Sequence, residues 1–175
     1  ELVIIGVMAA LAAASRVAFA VMPYLKVITG IIMITGIAFG PRAGFLTGAI
    51  GAFASNFFFG QGPWTPWQMF AYGFAGFWAG LLFHGRPSWR KPWVLGLFGF
   101  FSILLLVGPM LDSCTVFTVL PKLTLANVLL IYGQGVPVNT IHGLGCGMTL
   151  LVLTKPLLQK LGRIQRKYGI LEDRK

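Results

Sequence analysis

The stretch VITGIIMITGIAFGPRAGF, residues 27–45, decides the fold. No charged side chain occurs in it before Arg42, and almost every position up to Gly40 is apolar or small. The run stops at Gly40-Pro41-Arg42, because a proline cannot continue the hydrogen-bond ladder of the helix before it. An apolar run of this kind, closed by a turn, predicts a helix that crosses a lipid bilayer.

Further apolar runs lie on both sides of this one, separated by segments rich in proline, glycine and basic residues. They predict six spans, at about residues 2–20, 27–40, 43–59, 67–83, 93–111 and 135–153, and a basic tail, 155–175, that is helical toward Tyr168. Residues 112–132 are mostly apolar but are interrupted by Asp112, Pro121 and Lys122. This segment could extend the fifth span, form an external helix or dip partly into the bilayer.

The composition is that of a membrane protein with a single domain, residues 1–175. Hydrophobic residues make up 57% of the chain and charged residues only 10%. No water-soluble domain of this length could hide so much apolar surface in one core. The predicted fold class is therefore all-α, an integral membrane bundle of six transmembrane helices. Cys114 and Cys146 are too few and too dispersed for a disulfide framework, and both are interpreted as packing residues.

The basic residues predict the orientation in the cell membrane, because lysine and arginine beside a span are retained in the cytoplasm. With six spans and the amino end inside, only Lys26 and Lys122 fall in outer loops. The cytoplasmic set is far larger: Arg42, Arg86, Arg90, Lys91, Lys155, Lys160, Arg163, Arg166, Lys167, Arg174 and Lys175. We therefore expect both termini in the cytoplasm, and we interpret the net charge of +10 as a topology signal rather than a nucleic-acid surface.

Motifs of catalysis are missing from the sequence. There is no G-x-x-x-x-G-K-S/T phosphate loop. His84 and His142 are far apart, and three of the four acidic residues, Glu1, Glu172 and Asp173, lie at the chain ends. A metal site or a pair of catalytic carboxylates has almost no ligands to draw on. We expect no enzyme activity, no metal and no cofactor.

The densest set of recognition groups lies between Asn56 and Gln68, in an outer loop of the predicted topology. Aromatic rings offer flat contact area, amides offer donors and acceptors, and prolines stiffen the loop so that binding costs less entropy. An interfacial aromatic belt is the plainer alternative. The predicted substrate-binding residues are Trp64, Trp67, Gln68, Asn56 and Gln61, with Tyr24, Tyr132 and Asn139 in second rank.

Two further groups of residues have alternative interpretations. Tyr24 and Lys26 could close over the binding surface or form an ordinary snorkelling anchor. Asn139 and His142 lie one turn apart on one face of the last span. They could touch a ligand or bond to neighbouring helices.

The first helix has an unusually smooth surface of alanines. Ala9 with Ala13, and Ala10 with Ala14, have the i, i+4 spacing at which helices approach closely in lipid. Glycine pairs in the other spans are interpreted as packing inside the bundle. One helix seldom needs so much small surface for its own bundle, so we expect these four alanines to contact a partner protein.

Arg16 is a charge within the first span, where a charge needs a partner or water. Asp112 is the one acidic residue away from the chain ends. Both are expected in the outer half of the bundle. The hypothesis is that they form an ion pair.

Several stretches together are similar to a known family. They are the first helix ending in Ala14-Ser15-Arg16-Val17-Ala18-Phe19, the turn Gly36 to Phe45, the segment Ser55 to Met69, and Arg163-Ile164-Gln165-Arg166-Lys167-Tyr168-Gly169-Ile170. Over nearly the whole chain the sequence resembles the substrate-specific S-components of energy-coupling factor (ECF) vitamin transporters. The resemblance is greatest to the group proposed to handle cobalamin.

The resemblance implies a six-helix subunit that captures a micronutrient from outside the cell. It also implies two kinds of partner, a transmembrane T-component and two cytoplasmic ATPases, with the alanines of the first helix on the T-component. The expected substrate is cobalamin. Another vitamin, such as riboflavin, folate, pantothenate or thiamine, is the alternative, and so is a membrane assembly subunit without a transport function.

Overall fold

A computed structural model of the chain describes residues 2–22 and 25–168, and within this part the structure is helical and without strands. The helices are α1 Leu2–Ala18, α2 Ile28–Phe39, α3 Pro41–Phe59, α4 Trp64–Phe83, α5 Pro92–Ser102, α6 Gly108–Val119 and α7 Leu125–Tyr168. A π-helical segment, Ile103–Val107, joins α5 to α6, so the two form one continuous helix, Pro92–Val119. The expected all-α bundle of six helices is confirmed.

Helix α2 lies at the centre of the bundle. Every residue in it except Ala38 is buried. It packs against α1, α3, α4 and α7. A helix that is apolar on all sides must be surrounded, because it has no face suited to water. These four helices therefore surround α2, and the continuous helix α5–α6 packs mainly on α7.

Glycines bring α2, α3 and α4 into backbone contact. A Cβ atom added at Gly36 or at Gly44 would collide with the carbonyl oxygen of Gly76. A Cβ at Gly48 would collide with the carbonyl oxygen of Tyr72. Small residues allow this approach, and close van der Waals contact is a main source of helix association in lipid. The predicted packing role of the glycine pairs on these helices agrees with this geometry.

The turn between α2 and α3 also depends on glycine. Gly40 has φ 93°, a left-handed conformation that only glycine adopts readily. Pro41 follows as the first residue of α3, where its missing N–H would have no partner in any case. The chain therefore reverses direction within one residue, and α2 and α3 become adjacent antiparallel helices.

The last two helical stretches are longer than the sequence predicted. The fifth continues beyond residue 111 to Val119, so the first of the three alternatives for residues 112–132 is correct over that part. The last begins at Leu125 instead of about Gly135, and it remains helical through Pro137 and Pro156. A proline costs one backbone hydrogen bond and can be accommodated when neighbouring helices hold the chain in place.

By length and hydropathy, two helices of the described part can cross a membrane on their own, Pro92–Val119 and Leu125–Lys167. Two shorter apolar helices are Leu2–Ala18 and Ile28–Phe39. Helix α2 has 12 residues and is therefore about 18 Å long, against a hydrocarbon core of about 30 Å. Helix α2 by itself is therefore too short to cross that core.

The helices alternate in direction, so the two ends of the bundle differ in charge. We call the end with Lys26, Gly60 and Lys122 the outer end, and the end with Arg42 and Arg90 the inner end, following the predicted topology. Most of the described basic residues lie at the inner end. The polar side chains predicted to bind substrate lie at the outer end, apart from Tyr24, which falls outside the described residues.

Candidate functional site

Asn56 is the centre of a hydrogen-bond network at the outer end, near the end of α3. Its side chain is fully buried. Arg16 Nη1 donates to Asn56 Oδ1 over 2.7 Å and to Ser55 Oγ over 2.6 Å. The guanidinium of Arg16 also lies 4.5 Å from the centre of the Phe59 ring. The half-buried charge of Arg16 is thus stabilised by two oxygen acceptors and an aromatic face.

The other end of the Asn56 amide binds α4. Asn56 Nδ2 donates to Gln68 Oε1 over 2.8 Å and to Thr65 Oγ1 over 3.2 Å. The Thr65 hydroxyl in turn donates to Gln61 Oε1 over 2.9 Å. Both ends of the amide are occupied and no part of it is accessible, so Asn56 does not face a ligand in this structure, contrary to the sequence prediction. It positions Arg16 and Gln68 instead.

The loop between α3 and α4 is folded on itself. Gly60 has φ 93° and ends α3, and the N–H of Gly62 donates to Thr65 Oγ1 over 3.2 Å. Gln61 is exposed, and its Nε2 donates to the Phe53 carbonyl over 3.2 Å. The predicted stiffness of this loop therefore comes from hydrogen bonds as well as from its prolines.

The two predicted tryptophans occupy different environments. Trp64 is 42% exposed at the start of α4, beside the backbone of Gly62. Trp67 is half-buried, and its ring centre lies 5.9 Å from that of Phe117 on α6. Trp67 thus contributes to packing between helices. The position of Trp64 is also that of an interfacial anchor.

A second polar cluster joins α6 to α7. Asn139 Nδ2 donates to Asp112 Oδ2 over 2.7 Å, and the hydroxyls of Ser113 and Tyr132 are 2.8 Å apart. The expected ion pair between Arg16 and Asp112 is therefore wrong. Arg16 binds α3 and Asp112 binds α7. Neutral amide and hydroxyl groups that lie nearby form hydrogen bonds with both charged side chains.

The π-helical segment places Asp112 for this contact. Its wider turn advances the following residues around the helix axis compared with an uninterrupted α-helix. Gly108, directly after it, lies so close to Asn139 that a Cβ would collide with the amide group. The two features bring α6 against α7 at the level of the Asp112 carboxylate.

His142 lies deeper and is buried. Its Nε2 is 3.1 Å from the Thr29 hydroxyl on α2, and its ring contacts Tyr72 edge to face at 6.4 Å between centres. The clusters around Arg16 and Asp112 both lie at the outer end of the bundle, and His142 joins α7 to α2 and α4.

A cavity of about 180 Å³ opens in this region. Two cations, Arg16 and Lys26, line it together with Phe19, Leu25 and Phe59. These aromatic and aliphatic lining residues were not predicted from the sequence, and Arg16 was expected to form an ion pair. An intramembrane arginine next to an alanine-rich helix surface was the available signal, because such a charge lies beside polar or solvent-filled space.

The alanines of α1 divide into two sets. Ala9 and Ala13 are buried within this chain's own bundle, where Ala9 and Ala12 lie against Gly51 of α3. In this structure they pack inside the bundle, so their predicted contact with a partner is not visible on its surface. Ala10 and Ala14 are exposed and form an accessible strip of small residues on the outside of α1.

The described part of the chain contains no cluster of metal-binding residues, and its two cysteines are not paired. No group of three or more histidine, cysteine or acidic residues occurs there. Cys114 and Cys146 are both buried and free, and the Cys146 thiol lies 3.6 Å from Met33 Sδ. The structure agrees with their interpretation as packing residues.

A helical bundle with a cation-lined cavity at one end has the form of a membrane-embedded binding subunit. The sequence model of the family described as ECF-type riboflavin transporter, S component, matches residues 1–161. The match covers most of the 175 residues, so this chain belongs to that family. Comparisons with curated proteins and with solved structures returned no match.

Membership of this family defines the class of function. An S component is the membrane-embedded, vitamin-binding subunit of a transporter, and it works with a T-component and with ATPase subunits that hydrolyse ATP. The chain is therefore a transport subunit and not an enzyme. The alternative of an assembly subunit without a transport function is wrong. The expected assignment to a cobalamin-type group is not supported, because the description of the family names riboflavin.

Proposed function

We propose that this chain captures riboflavin at its outer end and delivers it to an ATP-driven transport complex. The observation that carries the proposal is the match of residues 1–161 to the riboflavin transporter S component. Riboflavin combines a flat, mostly apolar ring system with carbonyl oxygens and a chain of hydroxyl groups. A site for it needs aromatic or aliphatic walls and a few placed donors.

The outer cavity has both kinds of group. Phe19 and Phe59 supply apolar walls, and Arg16 and Lys26 supply donors for carbonyl or hydroxyl oxygens. Asn56 holds Arg16 in place from behind. The cavity of about 180 Å³ is smaller than the roughly 300–1,000 Å³ typical of small-molecule sites. Binding therefore requires the cavity to widen, by rotation of side chains such as Phe19 at its rim.

The residues predicted from the sequence retain roles around this cavity in the proposal. Gln68 and Gln61 hold the α3–α4 loop through Asn56 and Thr65, and the Tyr132 and Asn139 side chains join α7 to α6 through Ser113 and Asp112. Trp64 and Trp67 anchor the start of α4. Tyr24 remains a predicted contact.

Titration of the purified full chain with riboflavin tests the proposal, with quenching of the intrinsic flavin fluorescence as the readout. Arg16→Gln removes a charged donor and Phe59→Leu removes the ring beside it. We expect each to weaken binding about tenfold or more, since a hydrogen bond to a charged group contributes about 1.5–3 kcal/mol. Phe58→Leu is the matched control, because Phe58 is a neighbouring phenylalanine that is 73% exposed.

Cobalamin serves as the competing ligand in the same titration. Binding of riboflavin without binding of cobalamin supports the proposal. Tight binding of cobalamin with no response to riboflavin contradicts the choice of vitamin and leaves the family assignment unchanged. Unaltered riboflavin affinity in both Arg16→Gln and Phe59→Leu contradicts the choice of cavity.

We further propose that the exposed strip of Ala10 and Ala14 is the surface of α1 that contacts the T-component. Gly6 continues the strip one turn earlier, and a Cβ there would have no atom within 4 Å. Small residues allow a second helix to approach closely or to slide past. The proposed orientation places both termini in the cytoplasm, where the ATPase subunits act.

A further inference from the structure

A long groove runs between α5 and α7 on the outside of the bundle. On α7 it follows residues spaced three or four apart, which share one face of a helix: Leu144, Gly147, Leu151, Thr154, Lys155 and Leu158. The groove has two sections that meet at Leu151. Helix α1 packs on α2 and α3, so this groove lies apart from the alanine strip.

The section at the inner end is a cavity of about 390 Å³ with polar groups. Arg90 and Lys155 bring two positive charges to it, and Thr154 and Gln159 bring a hydroxyl and an amide. Leucines of α5 and α7 form the rest of its wall. This combination of cations, uncharged donors and apolar surface suits an amphipathic anion.

The Thr154 hydroxyl is a hydrogen-bond donor in this cavity, and none of the described residues accepts from it. Its side chain is only 4% exposed, and its hydroxyl has no hydrogen-bond partner among the described residues. Thr140 and Thr149 on the same helix each donate to the carbonyl four residues earlier. A buried hydroxyl without a partner costs free energy, so a ligand oxygen in this cavity would remove that cost.

Arg90 is held in place by the backbone of neighbouring helices. Its Nε donates to the Phe83 carbonyl over 3.0 Å, and its Nη2 donates to the Ile37 carbonyl over 3.4 Å. Nη1 is left for another acceptor. Partial burial lowers the pKa of the Arg90 guanidinium from its ordinary value, yet an arginine stays protonated in proteins. The cavity therefore contains a fixed positive charge.

No acidic residue of the described chain balances this charge. Asp112 is the only acidic residue within the described ranges 2–22 and 25–168, and it lies at the outer end, bound to Asn139. Two cations close to an apolar wall attract an anion from beyond the described residues. The neighbouring bilayer is the nearest source of one, because anionic headgroups lie at this depth.

The second section of the groove is apolar and extends toward the middle of the membrane. It measures about 490 Å³ and is lined by Trp93, Phe100, Met148 and other apolar residues. Gly96 on α5 and Gly147 on α7 lack side chains, and this leaves room between the helices. A hydrocarbon chain fits such a surface better than any polar partner does.

We propose that the α5–α7 groove is a binding site for one anionic phospholipid. The phosphate group lies against Arg90, Lys155 and the Thr154 hydroxyl, and an acyl chain follows the apolar section past Leu151. The site accepts its lipid from the bilayer leaflet at the inner end. It requires neither riboflavin nor a partner subunit.

Thermal unfolding of the purified chain in detergent, with added phosphatidylglycerol or phosphatidylcholine, tests this site. We expect phosphatidylglycerol to raise Tm more than phosphatidylcholine at the same concentration, because only the first carries a net negative charge. Lys155→Gln should weaken the apparent affinity for phosphatidylglycerol about tenfold and Thr154→Val about fivefold, in line with a charged and a neutral hydrogen bond. Lys160→Gln, on the same helix but outside the cavity, should leave the affinity unchanged.

Thr154→Val also separates a lipid site from a merely unsatisfied hydroxyl. With a lipid site, the variant loses stabilisation by phosphatidylglycerol while its Tm without lipid is unchanged or higher. Equal stabilisation by the two lipids would overturn the proposal, and so would an equal loss of affinity in Lys160→Gln. Stabilisation by inorganic phosphate in place of the lipid would overturn the assignment to a phospholipid.

The position of the acyl chain can be tested with lipids that carry bromine atoms along their tails. Bromine quenches tryptophan emission at contact distance. We expect brominated phosphatidylglycerol to quench the protein more than brominated phosphatidylcholine, and Trp93→Phe to remove this difference. A difference that persists in Trp93→Phe would contradict the placement of the chain in this groove.

Discussion

At the level of single residues, the charge of Arg16 at the outer end is stabilised by neutral groups and not by the acidic side chain of Asp112. Arg16 donates to two neutral oxygens and lies over the Phe59 ring. A neutral shell of this kind leaves the guanidinium able to bind a further acceptor, whereas an ion pair with Asp112 would have neutralised it. The arginine can therefore serve both the fold and a ligand.

Asn56 is the residue on which this arrangement depends. Asn56→Ala removes one of the two oxygen acceptors of Arg16 and the amide that donates to Gln68, and a buried group without its partner costs about 1–3 kcal/mol. We expect a clearly lower Tm in detergent and weaker riboflavin binding, measured by thermal unfolding and by fluorescence titration. Asn127→Ala, which removes an exposed amide, should change neither by a comparable amount. Equal effects of the two substitutions would show that Asn56 has no central role.

At the level of helices, the interface of α3 and α4 rests on glycine. Gly76→Ala introduces a Cβ that collides with the backbone carbonyl of Gly44, and backbone cannot move aside as a side chain can. Overpacking typically costs about 1–3 kcal/mol, so we expect a large fall in Tm or loss of folded protein. Gly162→Ala, where a Cβ meets nothing within 4 Å, should be neutral or stabilising. Tolerance of Gly76→Ala would mean that the helices lie farther apart.

The surface of α1 gives a second prediction at this level. Ala10→Leu and Ala14→Leu place bulk on the exposed strip, which should block close approach of the T-component. We expect loss of co-purification with the T-component and the ATPases, with riboflavin affinity of the isolated chain unchanged. Ala126→Leu, at an exposed alanine of α7, is the control and should preserve the complex. Retained assembly in both α1 variants would place the contact elsewhere.

For the whole molecule, the charge difference between the two ends predicts an orientation that labelling can measure. Lys122→Cys and Lys160→Cys each introduce one exposed thiol, while Cys114 and Cys146 are buried. In intact cells, a membrane-impermeant thiol reagent should label Lys122→Cys at once. It should label Lys160→Cys only after permeabilisation, because basic segments are retained in the cytoplasm. The reverse pattern would invert the topology.

Hydropathy and proline positions were enough to predict the helices of this bundle, because a bilayer requires long apolar runs with all backbone groups bonded. They could not place the start of the last helix at Leu125 instead of about residue 135, since the interrupted apolar pattern of residues 112–132 fits several conformations. The π-helical turn before Gly108 could not be predicted from the sequence either, because it depends on contact with Asn139.

The candidate site was harder to predict than the fold. The stretch from Asn56 to Gln68 lies at the same end of the bundle as Lys26 and Lys122, but its amides bind each other. Which polar side chains face a cavity depends on helix rotation, and rotation is set by packing. The role of Arg16 was missed for the same reason, because its partners Ser55 and Asn56 lie on another helix.

The short central helix has a consequence for how the bundle fills the bilayer. Helix α2 has 12 residues and is about 18 Å long, whereas the hydrocarbon core is about 30 Å thick. The chain segments before and after α2 therefore have to cover the depth that α2 itself does not.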